Sequence, residues 1–308
     1  MHEPALRAAA FGSDPLPDPA AVRRPGSPRE RLLAAIVLGA QGRYAAAATL
    51  LGALRRDADP VAASLAASTL ASHRRQLGGH RAARALDGEA FAAVATVETG
   101  PGPDASTRQA RVLGGEARGT VETGPDPDGL DAPGARADAL LGLAADNLAL
   151  GRLAAARRLA DRARAEGAGW RAEVRGGWVG AEIELAAGQG TAAVPHAERA
   201  LETALARGAR RHTVKSRIVL AVALRAAEAP DHRKISDDLV GNAMATAEEC
   251  ELLSLSWPAA LVAADLRPGH AEEYRFRVAQ VLHAVLRSAD PCGRRVAGES
   301  PWVPVPGG

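Results

Sequence analysis

The sequence predicts an all-α chain built from paired helices, and three observations carry that prediction. Alanine makes up about a quarter of the residues, a composition that suits closely packed helices. Apolar residues recur at helical spacing along most of the chain, and strand-like alternation is nearly absent. A segment with a leucine, a turn glycine and following alanines occurs in four copies. At 308 residues and 47% hydrophobic the chain can bury a sizeable core. Aromatics at 3% make that core aliphatic and leave few stacking surfaces for bases or sugars.

Taken in order, residues 1–27 carry Pro4, Pro15, Pro17, Pro19 and Pro25 with little apolar periodicity, and read as a flexible leader. Residues 28–95 are assigned N-terminal helical hairpins, beginning with Leu32, Leu33, Ile36 and Val37 at helical spacing. Residues 96–134 are rich in Gly, Pro, Asp and Thr. Thr96-Val97-Glu98-Thr99-Gly100-Pro101 returns there as Thr120-Val121-Glu122-Thr123-Gly124-Pro125. Such a stretch buries too little apolar area to offset its ordering entropy, so it reads as a disordered insertion, with a lid or partner-binding arm as the alternative. Residues 135–289 resume the helical pattern through Leu140, Leu141, Ala144 and Leu148, and end in capping helices. Ser256 is placed as the N-cap of one, with Pro258 in its first turn. The last, over Glu272–Arg287, carries Tyr274, Val278, Val281, Leu282 and Val285. Residues 290–308 read as a flexible tail, of which Trp302 and Val303 are able to dock on the body.

The repeat explains how the helices pair. Leu38-Gly39-Ala40-Gln41-Gly42-Arg43-Tyr44-Ala45-Ala46-Ala47 matches Leu148-Ala149-Leu150-Gly151-Arg152-Leu153-Ala154-Ala155-Ala156, with weaker copies around Gly78 and Gly188. Gly42 and Gly78 are 36 residues apart, Gly151 and Gly188 are 37. Each Gly suits the left-handed backbone of a tight turn between two helices. Five residues later comes a small side chain, Ala47, Ala83, Ala156 or Ala193, where two helices approach.

In this layout of large and small positions the chain resembles the tetratricopeptide repeat (TPR) family. Leu140, Leu143, Ala144, Gly151, Leu153, Ala156, Ala160 and Ala163 carry the resemblance best, and Leu32 to Leu54 nearly as well, with Tyr44 where that family favours an aromatic. It covers residues 28–95 and 135–208, more loosely 211–252, and is similar to TPR-like proteins of high-GC bacteria. The resemblance implies a TPR-like α-solenoid of stacked hairpins, with a generic helical bundle as the structural alternative. It further implies a concave groove lined by first helices, and places Ser68, Ser72, Arg75, Asp138, Leu141, Arg175, Trp178 and Glu182 in that groove. The Lys, Arg and Asn set with which some TPR proteins clamp a peptide carboxylate is absent.

Two further features bear on binding. Arg207, Arg210, Arg211, His212, Lys215 and Arg217 form the densest basic run, and on a helix from about residue 211 Arg211 and Lys215 share a face. The run suits a grip on phosphate, an acidic peptide or nucleic acid, or else a solvated junction paired with Glu198 and Glu202. Trp170 and Trp178, eight residues apart on one helix, are either core packing or a hot spot in the groove.

Composition and motifs narrow the function classes. A formal net charge of +2 is too small to mark a nucleic-acid binder by itself. The bias to Arg over Lys reads as GC-rich coding more than anion recognition. Cys250 and Cys292 are too few for a disulfide framework or a thiolate zinc site. No HExxH, GxSxG or GxxxxGK[ST] motif occurs, and the eight histidines have no metal-ligand spacing. No cofactor is expected. The N-terminus has no basic start followed by a long apolar run, and the longest apolar stretch, residues 32–38, is too short to span a bilayer, so a cytoplasmic site of action and no membrane contact are expected. The expected function is a non-catalytic adaptor or scaffold, plausibly regulatory, that binds a peptide segment of another protein. The alternatives are a transcription-linked regulator contacting a sigma factor or DNA through residues 207–217, and an enzyme with an unrecognised site. The terminal helices offer a surface for a homodimer.

Overall fold

The computed structural model describes residues 2–14, 16, 19–97 and 125–304. These residues form fifteen α-helices and no strand. The first two are α1 (Glu3–Phe11) and α2 (Pro19–Arg23). Six helical pairs follow: α3 (Pro28–Ala40) with α4 (Tyr44–Leu54), α5 (Pro60–Gln76) with α6 (His80–Val94), α7 (Ala132–Ala149) with α8 (Leu153–Ala165), α9 (Gly169–Ala186) with α10 (Gly190–Ala206), α11 (Arg210–Ala226) with α12 (His232–Glu249), and α13 (Leu253–Leu266) with α14 (Ala271–Arg287). The short helix α15 (Pro291–Gly298) ends the fold. No helix among the described residues is long and apolar enough to cross a membrane.

The local chemistry of the pairs matches their pattern. Gly42, Gly78, Gly151 and Gly188 all take φ between 73° and 75°, the left-handed turn where a Cβ is costly. Ala47, Ala83, Ala156 and Ala193 are fully buried, so each second helix lies against its neighbour with only a methyl between them. Helix starts are set by Ser27, which forms a reciprocal capping box with Glu30, and by Asp59, Asp131 and Asp290, whose carboxylates accept from first-turn amides.

Packing is sequential, and it also closes. Each helix from α3 to α14 packs on the next, and the first helices of the pairs touch one another in the order α3, α5, α7, α9, α11, α13. Helix α13 then packs back on α3. The first helices thus form an inner ring and the second helices an outer layer. An apolar cluster seals the junction, joining Tyr44 and Leu77 to Trp257, Leu282, Val285, Val296 and Val303. Arg74 and Asp290 make a two-pronged ion pair across it, at 2.7 and 3.0 Å.

Five expectations change here. Residues 1–27 hold α1 and α2 in place of a flexible leader: Leu6 is fully buried, Phe11 nearly so, and α1 packs on α3 and α11. The 290–308 segment holds α15, a buried Val303 and an exposed Trp302. The C-terminal pair does more than cap the last repeat, because it meets the first one. Helix α13 starts before Ser256, whose hydroxyl donates to the Leu252 carbonyl, and Pro258 lies inside the helix. Of the insertion expected over 96–134, residues 98–124 lie outside the described residues. Residues 125–134 are held instead by Arg7 and Arg29, which bond Asp126 at 2.9–3.1 Å, and by Asp131, which caps α7.

Candidate functional site

The inner ring surrounds a cavity of about 500 Å³. All eight groove positions implied by the TPR resemblance line it: Ser68, Ser72 and Arg75 from α5, Asp138 and Leu141 from α7, and Arg175, Trp178 and Glu182 from α9. Ile36, Leu148, Val179 and Leu255 add apolar wall, and Phe11 reaches in from the end of α1. A mixed apolar and charged lining of this size is characteristic of ligand sites.

The charges are arranged in two groups. Asp138, nearly buried, accepts from Arg171 at 2.5 Å and from Arg175. Burial alone would raise its pKa, but the charges of Arg171 and Arg175 and their hydrogen bonds take it below the ordinary carboxylate value. Arg171 also donates to the Asp128 carbonyl at 2.7 Å and stacks over the Phe11 ring at 4.7 Å, tying the described end of the insertion and α1 to the cavity. In the second group Arg75 donates to Asp146 at 2.8 Å and to Asp87, with His80 Nδ1 3.2 Å from Asp146. Burial, reinforced by the neighbouring Asp146 charge, pushes the Asp87 carboxyl up against the pull of Arg75.

The basic run does not form one patch. Helix α11 turns Arg211, His212 and Lys215 into the cavity and the others away from it. Arg210 approaches Glu249 at 3.4 Å, Arg217 donates to Thr246 at 3.2 Å, and Arg207 is exposed at the end of α10. The reading as a junction paired with Glu198 and Glu202 therefore gives way to a division set by helical geometry, with positions 211, 212 and 215 on the inward face. The exposed basic stripe that contact with DNA calls for is split in the same way.

The inward residues sit in an unusual setting. Arg211 makes no hydrogen bond or ion pair among the described residues, and its Nε is buried without a partner. Enclosure and the nearby Arg171 and Arg175 lower its pKa to about 10, so it keeps its charge at neutral pH. His212 stacks on Trp178 with ring centres 5.7 Å apart and meets Trp170 edge-on at 5.0 Å. Burial, followed by the charge of Arg211, drives His212 well below its ordinary pKa and keeps it neutral. Lys215 lies over the Trp178 ring at 4.6 Å and 3.8 Å from Glu182. Its enclosure lowers its pKa, with Glu182 opposing.

The tryptophans divide. Trp170 is core, its Nε1 donating to Asp128 at 3.2 Å, whereas Trp178 forms part of the cavity wall and donates to Ser216 at 2.8 Å. Sequence reasoning missed Phe11, His73, Gln76 and Arg171. Arg171 stands one helical turn before Arg175, so the groove's own periodicity points to it. Phe11 had no such signal, since its place depends on docking of a distant segment.

No family model matches the chain, and no curated protein matches it.

Proposed function

We propose that this chain is a non-catalytic binding protein, a TPR-like array of helical hairpins whose inner face captures a short segment of a partner polypeptide. The observation that carries this reading is the convergence of all eight predicted groove residues on one cavity. The left-handed glycines with buried alanines five residues on support the TPR-like part of it. Its volume suits an anchor of a few residues more than a long extended strand. The apolar wall offers burial for a side chain, and the arginines offer register through bidentate contacts. A cytoplasmic, reducing setting fits two cysteines that are both free.

The test is selection of peptides from a random display library, followed by fluorescence polarisation on the enriched sequences. Ser72 lines the cavity and is half-buried, so Ser72→Trp fills the space while the ring is left intact. We expect enriched peptides to lose about 10-fold or more in affinity with that variant, at an unchanged melting temperature. Absence of any enriched peptide, or equal binding by Ser72→Trp, removes the reading.

A further inference from the structure

We propose that the part of the cavity formed by α9 and α11 is a site for a dianionic phosphoryl group, a phosphate monoester carried by a polypeptide or by a small molecule. The inference rests on reading the cavity as a binding site and adds the chemical class of what enters it.

The first argument is charge. Arg171, Arg175 and Arg211 share one carboxylate, Asp138, and two of them already bond it. Arg211 is left over, yet stands close enough to Arg171 and Arg175 to be depressed by both. Lys215 follows one turn later and has Glu182 only at 3.8 Å. A half-buried guanidinium among like-charged neighbours, with its Nε fully buried and unpartnered, is best completed by an anion. A single carboxylate would carry one charge and two acceptor oxygens. A phosphate monoester carries nearly two charges and three acceptor oxygens, which suits several convergent N–H donors.

The second argument is polar satisfaction. Eight buried side-chain polar atoms among the described residues have no hydrogen-bond partner. Five belong to residues lining this cavity: Ser68 Oγ, His73 Nδ1, Arg171 Nε, Arg211 Nε and His212 Nδ1. His73 and His212 are only 5% and 2% exposed. Native interiors rarely leave such atoms unpaired, and their concentration around one cavity marks a polar region that the protein's own groups do not fully satisfy.

Isothermal titration tests the proposal with inorganic phosphate, phenyl phosphate, a phosphoserine tetrapeptide, its unphosphorylated form and acetate, all at matched ionic strength. We expect the phosphate compounds to bind and acetate and the unphosphorylated peptide to bind about 10-fold more weakly or worse. Arg211→Gln should lose about 10-fold or more in phosphate affinity, with part of it restored by Arg211→Lys. Its melting temperature without ligand should not fall, since the substitution removes a charge that has no partner. A phosphopeptide that outbinds phenyl phosphate assigns the group to a polypeptide; the reverse order assigns it to a small molecule, and both support the site. Equal binding of acetate and phosphate, or wild-type affinity in Arg211→Gln, overturns it. If Ser72→Trp still abolishes capture of library peptides in that event, the cavity keeps its peptide role and only its phosphoryl specificity is lost.

Discussion

His73 shows how strongly the interior of this ring constrains a single side chain. It packs where Gly39 of α3 leaves no room for a Cβ, with the Tyr44 ring 5.1 Å away. Burial first, then the charges of Arg211 and Arg74, lower its pKa to about 3, with only Asp290 opposing. In the unfolded chain it titrates near 6.5. Between those values the unfolded state takes up a proton that the native state refuses. The stability this contributes is therefore full above pH 6.5 and is lost as pH falls towards 3. Asp87 acts with the opposite sign, because its raised native pKa favours folding at lower pH, so the total slope of the wild type mixes both. The difference between wild type and His73→Gln isolates the histidine. From pH 7 to pH 5 the wild type should lose about 2 kcal/mol relative to that variant in urea denaturation. Parallel pH profiles would show that His73 takes up its proton in the fold as readily as in the unfolded chain. Such settings are only partly legible in a sequence. Ser68, Ser72, Arg75, Asp138, Leu141, Arg175, Trp178 and Glu182 follow from the TPR resemblance, which implies that first helices turn these positions inward. That Arg211 lacks a partner depends on how three helices share one aspartate, and no local pattern records it.

Helices in this fold approach so closely that glycine has opposite meanings on different faces. Gly142, in the middle of α7, faces α6, and a methyl there would overlap the Asp87 carboxylate that Arg75 holds. Gly52 on α4 and Gly88 on α6 meet open space. An Ala in place of Gly in an exposed helix interior gains about 0.5–1 kcal/mol from reduced backbone freedom. Gly52→Ala should therefore stabilise by that amount. Gly142→Ala should destabilise by about 1–3 kcal/mol, since it must displace a buried, bonded carboxylate. Both effects are readable from chemical denaturation midpoints, and a stabilising Gly142→Ala would refute the close α6–α7 packing. The same logic explains which pairs were visible in advance. Four turns use glycine at φ near 74° with a buried alanine five residues on, a signature that survives in the sequence. The turns at either end of α12 use Glu228 and Glu251 at φ of 52° and 50°, so the repeat fades there although the helices continue. Helices α1 and α15, of 9 and 8 residues, gain their stability from burial against remote elements and not from their own length.

At the scale of the whole molecule, the sequence divides the helices at 96–134 into two groups, and the packing joins them from both sides. One apolar cluster runs from Leu6 and Leu33 through Val94 and Leu130 to Val174 and Leu224. A second joins α4 and the end of α5 to α13, α14 and α15. An open array of repeats frays from its ends, because each unit touches only its neighbours, and damage at one terminus stays there. A ring whose last pair packs on its first has no such free end. Asp290 tests which description holds. Its carboxylate pairs with Arg74, whose side chain is 8% exposed, and also caps α15 by accepting from Gly293 at 3.1 Å. Asp290→Ala leaves that guanidinium unpaired and the cap lost, which should cost about 2–4 kcal/mol. In a closed ring the loss spreads. Hydrogen exchange should accelerate in α3 and α5 as well as in α13, α14 and α15, and unfolding should remain a single transition with a lower midpoint. If exchange quickens only beyond residue 288 while α3 and α5 keep their protection, the junction is a docked tail and the ring is not a cooperative unit. The distinction matters for binding, because the cavity draws lining residues from both sides of that junction, His73 and Gln76 on α5 and Ser254 and Leu255 on α13. A ligand that bridges them would strengthen the closure, and the Asp290→Ala variant would then bind more weakly although the residue is not part of the cavity lining.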